Sequence, residues 1–329
     1  MAWLAQACPN LQVVMDRSGA DGSRVVGFST AYHLSQLGSM GTWFVDGTFK
    51  SRPAIFKSAS SQVFTIHGFV GGPDGRKQFP MVYALMTNRR AQDYVHLFEG
   101  LRRAMDRAGL PCQPVSWMLD FEAAIWRAIR TCFPQSTPSG CGFHWTKCIN
   151  NKWRDLGLHN SARTAEDLKV LYARVQAMRF LPHNYILQAF DNLLNTVNHY
   201  PAAHAVHSFL EYLGETWVHS NLFSPDTWSQ FGLELKTNND LEGYHTGLNR
   251  IMGPRPAFYA FVERMFVQLG NSRMQIQSGD LNRRECQQTA DKHRAIEALM
   301  QQYVDRRIDL WPVLDGIATL FDYRRGACH

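Results

Sequence analysis

Apolar and polar positions alternate along this chain with two different periods. From residue 42 to residue 87 the texture is that of strands. Thr42–Phe49 (TWFVDGTF), Ser61–Val70 (SQVFTIHGFV) and Gln78–Thr87 (QFPMVYALMT) are rich in β-branched and aromatic residues. GGPDGRK between the last two is a strong turn signal, which predicts an antiparallel hairpin. Pro80 has no amide hydrogen to give a neighbour, so it places the third run at or near a sheet edge. Then the period lengthens. Tyr94, Leu97, Phe98, Leu101 and Met105 share one face of a predicted helix over 91–108, ended by Gly109 and Pro111. Pro114–Leu119 is a short apolar strand, Ala123–Cys132 a helix stopped by Pro134, and Ser139–His144 a fifth short strand. This order predicts an α/β fold, a mixed sheet with helices on its faces.

From residue 151 onward the texture is helical, as in AEDLKVLYARVQAM, and no strand is predicted up to Trp228. TNNDLEGYHTGLNR (237–250) is a polar helix closed by Pro254 and Pro256, and further helices fill 257–323. Residues 1–40 are mixed: SGADGS is turn-rich, and FSTAYHLSQLG (28–38) is helical. The expected organisation is a separate N-terminal segment (1–40), a first part of the sheet core (41–145), an all-helical insertion (146–236), a second part of the core (237–275) and a helical C-terminal extension (276–329).

Composition narrows the class. With 45% apolar and 19% charged residues the chain is globular, with ample material for a core. A net charge of +6 suits a polyanionic partner without demanding one. Seven scattered cysteines, an odd number, point to a reducing compartment. The start, MAWLAQACPNLQVV, lacks the basic region of a signal peptide, and no run reaches a membrane span, so the expected location is intracellular, with no membrane partner. GFVGGPDG lacks the Gly-Lys-Ser/Thr ending of a P-loop, and no Gly-x-Ser-x-Gly word occurs.

Two acids stand at the ends of apolar strands: Asp46 after TWFV and Asp120 after WML. A carboxylate there is costly to desolvate unless paired or metal-bound. If the strands are neighbours, the two acids face each other, and with a third acid they can hold two Mg²⁺ or Mn²⁺ ions for phosphodiester chemistry. Glu242 is the third. Asn238, Glu242, His245 and Asn249 form a polar stripe at helical spacing, whereas Asp240 points roughly 200° away from Glu242. Each acid also has an ordinary reading, as turn, helix cap or surface residue.

The words around the acids decide between these readings. TWFVDGTFKSRP, QVFTIHGF, FPMVYALMTNRRAQDYVHLFEGL, DFEAAIWRAI, GCGFHWTKCI and NNDLEGYHTGLNR resemble, in order, the Mutator-like element (MULE) transposase domain, from about residue 40 to at least 275. The resemblance implies a DDE transposase on a ribonuclease H-like fold, with a helical insertion before the last acid. It implies Asp46, Asp120 and Glu242 as catalytic metal ligands. It also covers a Cys-x-x-His word, here Cys141 and His144. His144 beside the metal site, packing of the Cys-His segment, and a zinc site are the three readings of that word. The implied partners are double-stranded DNA, both transposon ends and target, and a second copy of the chain on DNA, in the nucleus.

Lys50, Arg52, Lys57, Arg89, Arg90, Arg250 and Arg255 are candidate backbone-phosphate contacts, with Asn238, His245 and Asn249 beside them. Trp217 and Trp228 are either core residues or platforms for an unpaired base, and Glu122 either supports the acids or begins a helix. Residues 1–40 show no clean zinc-finger or helix-turn-helix spacing. End recognition would then rest on a separate module. Two alternatives to an active transposase follow: a catalytically silent, transposase-derived binding protein, or a ribonuclease H-like nuclease.

Overall fold

Strand-forming runs and amphipathic helices assemble into two units in a computed structural model of the chain, which describes residues 6–72, 75–196, 199–200, 202–233, 239–282 and 287–321. In chain order the strands are β1 (Leu11–Ser18), β2 (Arg24–Thr30), β3 (Thr42–Thr48), β4 (Gln62–Gly72), β5 (Gly75–Met86), β6 (Ser116–Leu119) and β7 (Thr137–Gly140). The longer helices are α1 (Ala31–Gly38), α2 (Ala91–Arg107), α3 (Ala123–Cys132), α4 (Gly142–Asp155), α5 (Glu166–Met178), α6 (His183–Asn195), α7 (Ala203–Leu213), α8 (Asn239–Met252), α9 (Phe258–Ser278), α10 (Gln287–Val304) and α11 (Leu310–Thr319). One unit comprises Met1–Ser139 with Asn238–Arg283, and the other Gly140–Thr237 with Arg284–His329.

The first unit is built on a seven-stranded mixed sheet in the order β1-β2-β5-β4-β3-β6-β7. β4 and β5 run antiparallel to both of their neighbours, whereas β3 runs antiparallel to β4 and parallel to β6. Strand alternation gives the sheet two apolar faces. On one, Trp43, Phe98, Trp117 and Phe133 form an aromatic cluster with α2, the Trp43 and Trp117 rings 5.0 Å apart. On the other, Val26, Phe28, Val63, Tyr83 and Leu85 pack against Leu248 and Met252 of α8 and Phe261, Met265 and Leu269 of α9. Each such buried side chain stabilises the fold by about 1.5–3 kcal/mol.

Three expectations are corrected here. Residues 1–40 are no separate segment: β1 and β2 form an antiparallel hairpin around SGADGS, and β2 pairs with β5. Thr30 caps α1 by accepting from the His33 amide. Pro80 is not on an edge strand, since β5 lies between β2 and β4. It is tolerated because β2 pairs with β5 only as far as Tyr83 and because the β4 register shifts at Ile66/His67, opposite Pro80. Finally, the strand expected at 139–144 lies at Thr137–Gly140, and Gly142 begins α4. The apolar run there is the first turn of an amphipathic helix that buries Trp145, Ile149 and Trp153, spaced i, i+4, i+8.

The second unit is helical apart from Gly140, the last residue of β7. Its centre is aromatic: Trp145 stacks on Trp228 at 5.2 Å, and the Trp228 indole donates to the Trp217 carbonyl at 3.1 Å. Trp217 and Trp228 are each 1% exposed, so they are core residues and not base platforms. The C-terminal helices belong to this unit. Arg174 of α5 pairs with Asp315 of α11 at 2.8 Å. A buried polar network runs from Tyr172 and Gln176 of α5 to Asn150 of α4. Arg179 donates to the Gly142 carbonyl at 2.9 Å and to Thr146, and its guanidinium lies over the rings of Phe180, Phe321 and Trp145.

Candidate functional site

The site in the first unit begins with strand register. Thr42, Trp43 and Phe44 of β3 pair in parallel with Ser116, Trp117 and Met118 of β6. Two further residues along, the same register sets Asp46 opposite Asp120. Their carboxylate oxygens come within 4.8 Å of one another. Both acids are partly buried. Local geometry holds each one. The Gly47 amide donates to Asp46 Oδ1 at 2.7 Å, and the Glu122 amide donates to Asp120 Oδ1 at 3.3 Å, so Asp120 also organises the start of α3.

Helix α8 supplies the next layer. Asp46 pairs with Thr65 in the β3–β4 ladder, which puts both side chains on the face that α8 covers. His245, 5% exposed, bridges them: its Nδ1 lies 3.2 Å from Asp46 Oδ2 and its Nε2 2.9 Å from Thr65 Oγ1. One turn on, Asn249 Nδ2 donates to Thr48 Oγ1 at 2.9 Å. Glu242 precedes His245 by three residues on the same helix face and is partly buried. The polar stripe therefore faces the sheet. His245 and Asn249 are corrected as DNA contacts, because strand groups already occupy their polar atoms. Asn238 lies outside the described residues.

Behind the bridge lies a buried histidine. His67 is 0% exposed, its ring is 4.7 Å from that of Tyr244 and 6.4 Å from that of His245, and neither of its nitrogens has a hydrogen-bond partner among the described residues. Burial, reinforced by the neighbouring His245, holds its pKa well below the ordinary histidine value. The hydroxyls of Tyr83 and Tyr244 bond to each other alongside.

A second network supports the Asp120 side. Glu122 accepts from Tyr94 Oη at 3.0 Å and from Arg89 Nη1 at 3.2 Å. Burial first, and then the charge of Asp120, push its pKa up. Tyr94 in turn accepts from Gln62 Nε2 at 2.8 Å. A Cβ at Gly47 would sit 2.1 Å from Gln62 Oε1, so a larger residue there would displace the Gln62 amide. Arg89 also lies over the Phe49 ring at 5.0 Å, and Arg90 is held by Asp21 at 2.6 Å and Asp93 at 2.9 Å. Both arginines, candidates for phosphate contact, are exposed and carry carboxylate partners. Lys50 and Arg250 are exposed, and Arg52 is partly buried, with Nη1 donating to the Phe49 carbonyl at 3.1 Å.

Cys141 and His144 belong to the second unit. Cys141 is buried at the start of α4, His144 is partly buried, and their ligand atoms lie within 4.8 Å of one another. Among the described residues of that unit, no further Cys, His or acid joins them in a group of three. Among the described cysteines, Cys8, Cys112 and Cys132 are buried and free.

Sequence reasoning missed Thr65, His67, Gln62 and Tyr94 as supports. The signal for the first two was present: polar residues at i and i+2 in an otherwise apolar strand share one face. Two carboxylates this close repel unless a cation or protons intervene. An all-oxygen pair fits a hard divalent ion such as Mg²⁺ or Mn²⁺.

Residues 42–148 match the MULE transposase domain. The MULE span contains Asp46, Asp120, Cys141 and His144, whereas Glu242 and α8 lie beyond it. Among curated proteins, none matches the chain. Among the described residues, no helix is long and apolar enough to cross a membrane.

Proposed function

We propose that the chain is the catalytic core of a DDE-type DNA transposase, which cleaves DNA at transposon ends and joins the freed 3′-hydroxyl to target DNA. The observation that carries this reading is the parallel β3–β6 register, which brings the Asp46 and Asp120 carboxylates within 4.8 Å inside a MULE transposase domain. A ribonuclease H-like fold is supported by the strand order β5-β4-β3-β6-β7, with both acid-bearing strands adjacent at its centre.

Asp46, Asp120 and Glu242 would hold two Mg²⁺ or Mn²⁺ ions. When bound, such ions lower the pKa of an attacking water or hydroxyl and stabilise the leaving oxygen. The chain's own residues do the positioning. His245 and Thr65 orient Asp46, while the Glu122 amide orients Asp120. Preorganised ligands need no rearrangement when substrate arrives. Water attacks the phosphodiester first and the 3′-oxygen leaves as a hydroxyl; that hydroxyl then attacks a target phosphodiester and displaces the target strand's own 3′-oxygen, which leaves as a hydroxyl. Bonds made and broken balance in both steps, so no nucleotide cofactor is required. The reading places the protein with DNA in the nucleus, as a homo-oligomer that holds two ends together.

The test is cleavage and strand transfer on duplex DNA with Mg²⁺ or Mn²⁺, comparing the full chain with Asp46→Ala, Asp120→Ala and Glu242→Ala. The expected result is activity in the unaltered protein and background levels in all three folded variants. A folded protein that binds no Mn²⁺ and neither cuts DNA nor joins free 3′-hydroxyl ends would instead be a silent, transposase-derived binding protein.

A further inference from the structure

Two segments distant in sequence meet beyond the acid-bearing end of β3. One is the loop 49–60, and the other is 253–256, between α8 and α9. Their main chains are joined twice: the Ala54 amide donates to the Pro256 carbonyl at 2.9 Å, and the Arg255 amide to the Lys50 carbonyl at 3.3 Å. The second segment reads Gly-Pro-Arg-Pro, and its conformation is unusual. Arg255 has φ 50° and Gly253 φ 72°, both left-handed. For a non-glycine residue that conformation is disfavoured, because Cβ approaches the following carbonyl oxygen. Such strain persists only where the surroundings enforce it. Here flanking prolines and the bond to Lys50 hold it, so Arg255 is presented from a rigid strap.

The charge on these segments is one-sided. Residues 49–60 and 250–257 carry Lys50, Arg52, Lys57, Arg250 and Arg255 and contain no Asp or Glu. Lys50, Lys57, Arg250 and Arg255 are exposed, and none of them forms an ion pair among the described residues. This separates them from Arg89 and Arg90, whose charges are met internally. Lys50 follows Asp46 by four residues, so their backbones lie within about 14 Å even at full extension. Cations without acids, fixed beside a pair of carboxylates, suit a chain of phosphates that crosses the site.

We propose that loop 49–60 and the strap 253–256 form a clamp on the sugar-phosphate backbone of DNA next to the acids, with Arg255 its fixed member. The clamp rests on the transposase reading for the identity of the polyanion. Its contacts carry no base information, so it grips any sequence and sets the position of the strand.

The test is binding of the full chain to duplex DNA in EDTA, by fluorescence anisotropy over a range of salt. Arg255→Gly keeps the left-handed backbone and removes the charge. Its slope of log affinity against log salt is expected to fall by about 0.9, and that of Lys50→Gln/Lys57→Gln/Arg255→Gly by about 2.7. The charge-matched control Arg103→Gln/Arg107→Gln/Arg127→Gln, all exposed positions on α2 and α3, should leave the slope unchanged. Thermal melting of each variant reports folding. Equal slopes for the folded clamp variants and the unaltered protein would overturn the clamp, as would an equal loss in the control. So would an acidic peptide that binds as tightly as DNA with the same dependence on these residues. Cleavage measured in parallel separates the two ideas. A protein that grips DNA through the clamp but never cuts refutes the catalytic reading alone, and one that cuts with clamp-independent affinity refutes the clamp alone.

Discussion

The two units bury polar groups in opposite ways. In the sheet unit, buried polarity converges on one place. His245 joins Thr65 of β4 to Asp46 of β3, and one turn on Asn249 bonds with Thr48 of β3. In the helical unit, buried polar contacts run between neighbouring helices and reach no acid pair, and Arg179 Nε and Trp145 Nε1 have no hydrogen-bond partner among the described residues. Asn150, Tyr172 and Gln176 satisfy one another, and Arg179 is met by a carbonyl, a hydroxyl and three rings. Both are low-dielectric networks in which an unmet group is costly. Only the first presents clustered carboxylates, the feature that chemistry needs. The second has the character of a scaffold.

The contrast can be broken where it is strongest. Arg179→Met keeps much of the volume but removes two hydrogen bonds to a charged donor and the contacts over the rings. It should destabilise the helical unit by about 2–4 kcal/mol. Hydrogen exchange should show faster opening of α4 and α5 with the sheet unchanged; equal loosening of both units would refute a self-contained scaffold. Next in size, His245→Ala should weaken Mn²⁺ binding by about 10–100-fold, as loss of a ligand's supporting partner does elsewhere. His245→Asn, which can still donate toward Asp46, should recover part of that. If calorimetry gives the same affinity for all three proteins, His245 only packs. The smallest effect is on pH dependence. His67 and His33 both have depressed pKa values, His33 down to about 4, chiefly through burial. The unfolded chain therefore takes up protons below about pH 6.5 that the folded chain refuses. Stability contributed by each neutral ring is complete above that pH and is lost as pH falls. His67→Leu should flatten urea-derived stability between pH 6.5 and 5 by up to about 1.4 kcal/mol per pH unit. An unchanged slope would mean that His67 is not held neutral.

Much of this architecture was legible because it is local. The 3.6-residue period over 91–108 and the turn signal before Gln78 depend on neighbours in sequence, and the structure places α2 and the β4–β5 hairpin there. Local signals also misled. The run from Ser139 to His144 reads as a strand, because six residues are too few to distinguish a helix by period. LQVVMDRS and RVVGFST flank a turn-rich word, yet their pairing shows only when β5 offers the hairpin an edge. At the site, the acids could be named from their strand ends and from the family words around them. Their supports could not, since Thr65 and His245 are 180 residues apart.

By itself, the sequence determined which segments become strands or helices, where an α/β sheet gives way to helices, and which three acids are worth testing. Periodicity and turn chemistry are properties of neighbouring residues, and a short chain segment carries them wherever it lies. Only the tertiary structure decided that β6 lies parallel beside β3, that the polar stripe of α8 faces the sheet and not solvent, and that Arg89 and Arg90 are already occupied while Arg255 is held out on a strap. Those outcomes depend on register, on which helix face is buried and on contacts between residues far apart in the chain, and no local pattern encodes them.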